Sequence, residues 1–203
     1  MKNLIKFSVL SVIFCAFSFT IQDKPDKIVK LKEFEKHIDS LGINFKMPKG
    51  YKEVATKQNK DLFYIFAIKN EKEDFEVRYS IQPIAEKELK KYQECEKDPN
   101  CHSLDPNFYY KSWAMANISN MTGLKKHGYG KFPEASVKKE FNADAGLTQF
   151  FEVDSQFGKG YKYGQMVVLH KDNVADVIIT YLSNNKEKHS SLMHTPFYSL
   201  TFK

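Results

Sequence analysis

The second half of the chain contains strand-like segments in close succession, and their order constrains the fold more than any other feature of the sequence. These segments are rich in β-branched and aromatic residues. They cover residues 147–153, 161–170 and 174–182. Only residues 171–173 separate the last two segments, a spacing that predicts a tight hairpin turn. Because strands joined by short turns run antiparallel, we expect an antiparallel sheet.

The first half and the C-terminus add further candidate strands. Residues 62–69 and 75–84 have a similar composition, and the charged stretch between them predicts a second hairpin. Alternating apolar and polar residues at 43–47, ahead of Pro48, predict another strand, and residues 197–202 predict a final one. The sheet is therefore expected to contain about seven strands.

Apolar residues at spacings of three and four predict helices between these strands. The candidates are an amphipathic helix at 31–41, a short helical or turn segment at 86–94, a longer helix at 105–121, and short helices at 133–141 and 186–194. We expect Pro196 to stop the last helix. The pattern predicts an α+β fold, with a central antiparallel sheet of about seven strands and helices packed on its faces.

The longer helix has the clearest sequence signals. Asp105 suits its N-cap and Pro106 suits its first position. Trp113 lies within it and is expected to pack in the core. The predicted apolar stripe of this helix consists of Tyr110, Ala114, Ile118 and Met121.

The N-terminus has the pattern of a secretory signal peptide. Lys2 and Lys6 precede an apolar run at 7–21, which is shorter than the ~20 residues that a membrane-spanning helix needs. Small residues near the end of the run are suited to signal peptidase. They predict that the mature chain begins near Phe19 or Ile21.

The protein is therefore expected to be exported, with residues 1–20 as the signal peptide and 21–203 as a single α+β domain. We expect it in the periplasm or outside the cell, with no membrane span in the mature chain. A lipid-modified N-terminus at Cys15 is the alternative. It is disfavoured because a lipoprotein signal has a small residue before the cysteine, where this chain has Phe14.

Removal of the signal peptide would leave two cysteines, Cys95 and Cys101, in the mature chain. Pro99 between them favours a turn, and an exported chain meets an oxidising compartment. Both facts favour a disulfide between the two cysteines. The adjacent His102 suggests a metal site as the alternative, but the spacing lacks the Cys-x-x-Cys pattern of such sites, so no metal is predicted.

A formal net charge of +6 raises the question of a nucleic-acid partner. Arg78 is the only arginine among the 31 basic residues, although arginine is the preferred residue for bidentate phosphate contacts. The lysines are spread along the chain and interleaved with acidic residues, which is typical of a solvated surface. We therefore expect no nucleic-acid partner.

The sequence contains no convincing catalytic or cofactor motif, so no catalytic residue and no cofactor is predicted. His189 and His194 are five residues apart, whereas two zinc ligands on one helix are three or four apart. The Gly-rich stretch 158–164 leads into a predicted strand, whereas a phosphate-binding loop leads into a helix. The sequence also lacks the Gly-x-Ser-x-Gly nucleophile elbow.

Five residues in the second half are candidates for ligand binding: Asn142, Asp144, Tyr161, Tyr163 and His170. Tyr161 and Tyr163 are expected to share one face of a strand, where cross-strand packing is the alternative to a ligand contact. His170 lies beside the turn that contains Asp172, and an exposed turn histidine is preferred over a histidine–carboxylate pair. If the turn that holds Asp144 lies beside the strand after Tyr161, these polar groups border one cleft.

Residues 45–51 run from a strand end through Pro48 and Gly50 to an aromatic residue, and residues 161–202 contain a hairpin, a short helix and a last strand. Both patterns resemble the PsbP-like and DcrB-like proteins. Residues 138–144 also look like exported proteins of Gram-negative bacteria. The resemblance implies an α/β/α sandwich around the antiparallel sheet. The first helix and the segment between the two cysteines depart from the family pattern.

Members of that family are mostly accessory or assembly proteins, so the resemblance implies a non-enzymatic role. We expect a binding or accessory protein of the cell envelope, whose partner is a ligand or an envelope protein. The alternative is a small extracytoplasmic hydrolase whose site is assembled from residues distant in sequence. A pocket in which a titratable pair converges would favour the enzyme, and an aromatic-lined groove without such a pair would favour binding.

The predicted export can be tested by the intact mass of the protein recovered from its native host. We expect loss of about the first 18 to 20 residues, because the short apolar run is suited to cleavage rather than to anchoring. Retention of Met1 through Ile21 would contradict this prediction. An added lipid mass on a chain that begins at Cys15 would favour the lipoprotein alternative.

Overall fold

The computed structural model of the protein describes residues 28–57, 62–123 and 128–203. The predicted signal peptide, its cleavage site and Cys15 lie outside the described residues. Within them, no helix combines the length and the apolar character needed to cross a membrane.

Seven strands form one antiparallel sheet in the order β2-β3-β4-β8-β7-β6-β5, and the first and last strands of the described chain pair separately as β1-β9. The strands are β1 (Ile43–Phe45), β2 (Tyr51–Glu53), β3 (Phe66–Asn70), β4 (Phe75–Pro83), β5 (Gly130–Lys131), β6 (Ala145–Glu152), β7 (Tyr163–Lys171), β8 (Ala175–Ser183) and β9 (Leu200–Phe202). The expected α+β fold with a central antiparallel sheet is therefore confirmed.

Helices cover both faces of this sheet. They are α1 (Leu31–Asp39), α2 (Glu86–Cys95), α3 (Tyr109–Met121), α4 (Glu134–Phe141), α5 (Ser155–Gly158) and α6 (Lys186–Phe197). One buried cluster joins the sheet to α1, α4 and α6 through residues such as Phe34, Phe141 and Met193. A second cluster joins the opposite face to α3 and α5 through residues such as Ile118 and Phe157. The result is three layers with the sheet in the middle.

The strand β8 lies at the centre of the sheet and is buried along its whole length. It pairs with β4 and with β7 over all nine of its positions. Its side chains alternate between the two clusters, with Ile179 in the first and Ile178 in the second. The sequence of a strand that is buried on both faces is a nearly continuous apolar run. This explains why the sequence pattern predicted β8 clearly.

The helices follow the predicted apolar patterns closely. Phe34 and Ile38 of α1 are buried, as are all four residues of the predicted stripe on α3. Pro196 does not stop α6, which continues through it to Phe197. Proline removes one N–H from the helix, and the carbonyl oxygen of Leu192, four residues earlier, accepts from Tyr51 Oη at 3.2 Å instead.

A buried ion pair crosses the α3 side of the sheet. Arg78 Nε donates to Glu76 Oε1 at 2.6 Å, and Arg78 Nη1 donates to the carbonyl oxygen of Phe157 at 3.1 Å. The guanidinium also lies over the rings of Tyr64 and Phe157. The arginine therefore holds α5 against β4, which accounts for its burial in an otherwise lysine-rich chain.

The structure pairs Cys95 with Cys101 in a disulfide, with the two Cα atoms 5.2 Å apart. Cys95 is the last residue of α2, and the chain turns back after it. The turn is held by Cys101 N, which donates to the carbonyl oxygen of Asp98 at 3.0 Å. The predicted bridge is therefore confirmed, and it closes the connection between α2 and α3.

Changing both Cys95 and Cys101 to Ser should lower the free energy of unfolding by about 2 kcal/mol, because the bridge restricts only a short loop of the unfolded chain. The fold should survive, since the bridge lies outside the two core clusters. Urea unfolding of the mature protein measures the effect. Addition of a thiol reductant to the wild type should reproduce it and leave the double variant unchanged. Two free thiols in the unreduced, denatured wild type would contradict the prediction.

Candidate functional site

Strand register places one residue from each of four neighbouring strands in a row across the sheet. Asp176 of β8 pairs with Gln82 of β4 on one side and with His170 of β7 on the other. His170 in turn pairs with Ala145 of β6. Directly paired residues project to the same face, so Gln82, Asp176 and His170 lie together on the α3 side.

His170 is buried between two carboxylates. Its Nδ1 lies 2.6 Å from Asp176 Oδ1, and its Nε2 lies 2.8 Å from Asp172 Oδ1. Its ring stacks on the ring of Tyr110 with centroids 4.5 Å apart. The expectation of an exposed turn histidine is therefore wrong. The side chain points inward because it follows the alternation of β7, and α3 covers that face.

The two carboxylates determine the protonation of this imidazole. Burial on its own would lower the pKa of His170, but hydrogen bonds and charge interactions with Asp176 and Asp172 outweigh it and raise that pKa. Burial raises the pKa of Asp176, and His170 offsets part of this increase. A protonated imidazole can donate to both carboxylates, and this arrangement orients Asp176 firmly.

The turn between β7 and β8 attaches the start of α3 to this row. Asn173 adopts a left-handed conformation with φ of 61°, as a three-residue hairpin loop requires. Asn173 N donates to Asn107 Oδ1 at 2.8 Å, and Asn107 Nδ2 donates to Asn173 Oδ1 at 3.2 Å. Asp105 caps the same segment by accepting from Asn107 N at 2.9 Å. The reciprocal asparagine pair thus fixes one wall of a pocket.

The pocket opens beside Asp176 and has a volume of about 210 Å³. The end of β4, the first turn of α2, and the start of α3 with the turn that precedes it form its walls. Its lining residues are Gln82, Pro83, Ile84, Glu88, Pro106, Tyr109, Trp113 and Asp176. This lining is mainly aromatic and apolar and contains two carboxylates, a composition suited to a small-molecule site. We call it the Asp176 pocket.

The carboxylate of Asp176 is the most unusual group in this pocket. Its side chain is only 4% exposed. One oxygen, Oδ1, pairs with His170, whereas Oδ2 accepts no hydrogen bond from the residues that the structure describes. Oδ2 is not sealed from solvent, so it remains accessible from the pocket. The free oxygen therefore provides a strong acceptor at the base of the pocket.

Asn142 and Asp144 lie next to this site and support it from behind. Asp144 Oδ2 accepts from Asp172 N at 3.0 Å, and Asp144 Oδ1 accepts from Lys138 Nζ at 2.8 Å. Asn142 Oδ1 accepts from Lys171 Nζ at 3.4 Å. These contacts hold the turn that presents Asp172 to His170. Neither Asn142 nor Asp144 lines the Asp176 pocket.

Tyr161 and Tyr163 lie at the opposite end of the sheet. Tyr163 pairs with Glu152, whereas His170 pairs with Ala145, and seven residues of strand separate the two positions by roughly 24 Å. The single cleft expected from the sequence is therefore not formed, and the expectation that joined these five residues is wrong.

The two tyrosines also do not share a face. Tyr161 lies on the α3 side, where its hydroxyl donates to Glu76 Oε2 at 3.4 Å. Tyr163 stacks instead on Phe150, whose ring also contacts His189 on the α6 side. The strict alternation fails because β7 begins only at Tyr163, after Gly160 with φ of 111°.

A second histidine forms a buried pair at the other end of β8. His189 Nδ1 lies 2.8 Å from Ser183 Oγ, and Ser183 is completely buried. Burial lowers the pKa of His189 to about 4, so its ring is neutral near pH 7. Because no substrate can reach a sealed hydroxyl, this serine–histidine contact is unsuited to nucleophilic catalysis.

Two other kinds of site are less well supported. A depression of about 430 Å³ lies beside the disulfide, but Cys95 is the only buried residue in its lining. Within residues 28–57, 62–123 and 128–203, no group of three His, Cys, Asp or Glu side chains is placed to hold a metal ion. The Asp176 pocket is therefore the best candidate site.

The sequence contained a partial signal for this site. Asp176 interrupts the apolar run 174–182 and is as far from Asn173 as His170 is, so a hairpin centred on Asn173 pairs the two. Trp113 was expected to pack in the core, and it does pack against a buried cluster. It also lines the pocket and is only partly buried, so part of its side chain is accessible to a ligand.

The protonation of the two buried histidines can be tested by a pH titration of their ring resonances in NMR spectra. The midpoint of His170 should lie above 6.5, and that of His189 near 4. Asp172→Asn should lower the His170 midpoint, because it removes the charge of one of the two flanking carboxylates. Asp98→Asn, a change of the same kind in the exposed disulfide turn, is the matched control and should leave it unchanged. A His170 midpoint below 6.5 in the wild type would contradict the assignment.

Comparison of the sequence with known proteins gives no family assignment. No protein-family model matches the sequence, and no curated protein matches it. The geometry of the Asp176 pocket is therefore the feature that bears most directly on function.

Proposed function

We propose that this chain is a non-enzymatic binding protein of the cell envelope that holds a small organic ligand in the Asp176 pocket. The observation that carries this proposal is the buried Asp176 carboxylate, whose Oδ2 lines the pocket without a hydrogen-bond donor among the described residues. Oδ2 is not among the side-chain atoms that are sealed from solvent without a partner, so a ligand in the pocket can reach it. A ligand that donates a hydrogen bond to Oδ2, or places a positive charge beside it, gains affinity and specificity from the contact.

The walls of the pocket support binding because they are held in place before a ligand arrives. Gln82 and Asp176 face each other in the β4–β8 ladder, and Ile84 N donates to the carbonyl oxygen of Val174 at 3.0 Å. On the other wall, Pro106 is buried and lies next to the reciprocal asparagine pair. A preorganised site loses little conformational entropy on binding, which favours affinity.

A titratable pair does converge beside the pocket, a feature expected of an enzyme. However, both ring nitrogens of His170 face carboxylates, so neither is available to a substrate. The lining contains no serine, threonine, cysteine, lysine or histidine to act as a nucleophile or base. For these reasons binding is preferred over catalysis.

A hydrolase remains the second candidate because Asp176 and Glu88 line the same pocket. Glycoside hydrolysis uses a pair of carboxylates, one on each side of the scissile bond. Burial raises the pKa of Asp176, as a general acid requires, but His170 already occupies its Oδ1 and offsets part of that increase.

The proposal includes a location outside the cytoplasm. A disulfide such as Cys95–Cys101 persists in oxidising compartments, which supports a place outside the cytoplasm. The signal-like N-terminus and the resemblance to PsbP-like and DcrB-like proteins, many of which are accessory proteins, point the same way.

The pocket contains the only tryptophan of the chain, Trp113, so its fluorescence reports on binding directly. Titration of the mature protein with a chemically diverse set of small metabolites should reveal at least one that shifts the emission with saturation. Tyr109→Ala should weaken that binding roughly tenfold, since a ring that packs on a ligand contributes about 1 kcal/mol. Tyr198→Ala, which alters an exposed tyrosine on the opposite side of the sheet, is the matched control.

Mass spectrometry of the bound compound separates the two candidate functions. A compound recovered unchanged after long incubation supports binding, and a hydrolysed one supports the enzyme. Failure of every compound to shift the Trp113 emission would contradict both.

A further inference from the structure

The charge of the Asp176 pocket is opposite to that of the chain. Basic residues outnumber acidic ones 31 to 25 in the sequence. The pocket lining nevertheless contains Glu88 and Asp176 and no Lys, Arg or His. Behind the lining, His170 lies between Asp176 and Asp172. Even with a protonated His170, the three carboxylates of Glu88, Asp176 and Asp172 outnumber this one cation, so the local potential favours a cationic ligand.

The aromatic walls favour the same kind of ligand. Tyr109 and Trp113 both line the pocket. The faces of tyrosine and tryptophan rings carry negative electrostatic potential and attract organic cations, with tryptophan the strongest of the aromatic side chains. Pro83, Ile84 and Pro106 add apolar surface, which suits the alkyl part of such a ligand.

Volume and ligand number argue against calcium and magnesium as ligands of this pocket. The pocket holds about 210 Å³, which corresponds to roughly seven water molecules. This volume suits an organic molecule of roughly seven to ten non-hydrogen atoms. Calcium requires six to eight oxygen ligands, and magnesium prefers six. The pocket offers two carboxylates and the amide of Gln82, and its other lining side chains are aromatic or apolar.

We propose that the Asp176 pocket binds a small organic monocation, an amine or a quaternary ammonium compound with a short apolar body. The cationic centre lies between Asp176 Oδ2 and the rings of Tyr109 and Trp113, and Glu88 adds attraction from the rim. This inference rests on the proposed function, since it names the ligand class of the same pocket. An anion would be repelled by both carboxylates, and a neutral molecule would gain none of the charge attraction that Asp176 and Glu88 offer.

The closing experiment compares two molecules of nearly equal shape. Choline carries a quaternary ammonium group, and 3,3-dimethylbutan-1-ol replaces its nitrogen by carbon and is neutral. Both are titrated into the mature protein at low ionic strength, with Trp113 emission and the thermal unfolding midpoint as readouts. Choline should bind at least tenfold more tightly than the alcohol, and added salt should weaken choline alone. Equal binding, or tighter binding of the alcohol, would overturn the proposal.

Two variants and one control test whether Glu88 and Asp176 cause the preference for choline. Glu88→Gln changes an exposed residue at the rim and should weaken choline several-fold while leaving the alcohol unchanged. Glu187→Gln, an equivalent change at an exposed position on the far side of the sheet, is the matched control and should have no effect. Asp176→Asn should abolish the preference for choline, and its circular dichroism spectrum checks that the fold is retained. An unaltered preference in Glu88→Gln and in a folded Asp176→Asn would overturn the proposal.

The outcomes also separate this inference from the proposed function. If only neutral compounds shift the Trp113 emission, the pocket is a binding site and the cation proposal is wrong. If choline does not bind but a primary amine from the metabolite set does, with the same loss in Glu88→Gln, the quaternary ammonium part of the proposal is wrong and the amine part is supported. If no compound of any charge shifts the emission, both proposals fail.

Discussion

Complete burial of β8 is the constraint on which the rest of the structure depends. A strand covered on both faces cannot expose its polar groups to water, so each polar side chain on it needs a partner inside the protein. Asp176 at one end pairs with His170, and Ser183 at the other end pairs with His189. Thr180 and Tyr181 are exceptions, because their buried hydroxyl groups lack a partner among the described residues. Each of the two histidines is therefore buried where its ring can pair with a polar side chain of β8.

These two histidines respond to pH in opposite directions. His170 has a raised pKa in the folded state, so its contribution to stability is complete below pH 6.5 and is lost as the pH rises through the folded value. His189 titrates near 4, below its ordinary value of 6.5. Between these values the unfolded chain binds the proton more readily, so stability falls as the pH drops from 6.5 towards 4. Both contributions to stability are therefore largely present together near pH 6.5, the ordinary pKa of histidine.

Sequence patterns predicted the parts of the fold that are long and regular. The strands β4, β7 and β8 each span nine residues, and α3 spans thirteen, so their apolar periodicities are clear. The strands β2 and β5 and the helix α5 have only two to four residues, too few for a period to show. The disulfide was predictable because its two cysteines are close in sequence and separated by a turn.

The candidate site was only partly predictable for a different reason. His170 and Asp176 belong to one hairpin, and their pairing follows from its turn. Glu88 and Trp113 come from α2 and α3, and only the packing of those helices against the sheet brings them to Asp176. Asn142 and Asp144 were correctly placed near His170, but as supports of its turn. Tyr161 and Tyr163 were not correctly placed near His170. They lie at the opposite end of β7, which spans nine residues.

The short edge strands of the sheet affect whether copies of the chain can associate by pairing their strands. The seven-stranded sheet ends in β2, with three residues, and in β5, with two. Each carries a lysine, Lys52 or Lys131. A growing fibril extends by adding strands to a long, uncharged edge. These outer strands offer only a few backbone groups beside a positive charge, so the sheet is a poor template for such growth even where the protein is crowded.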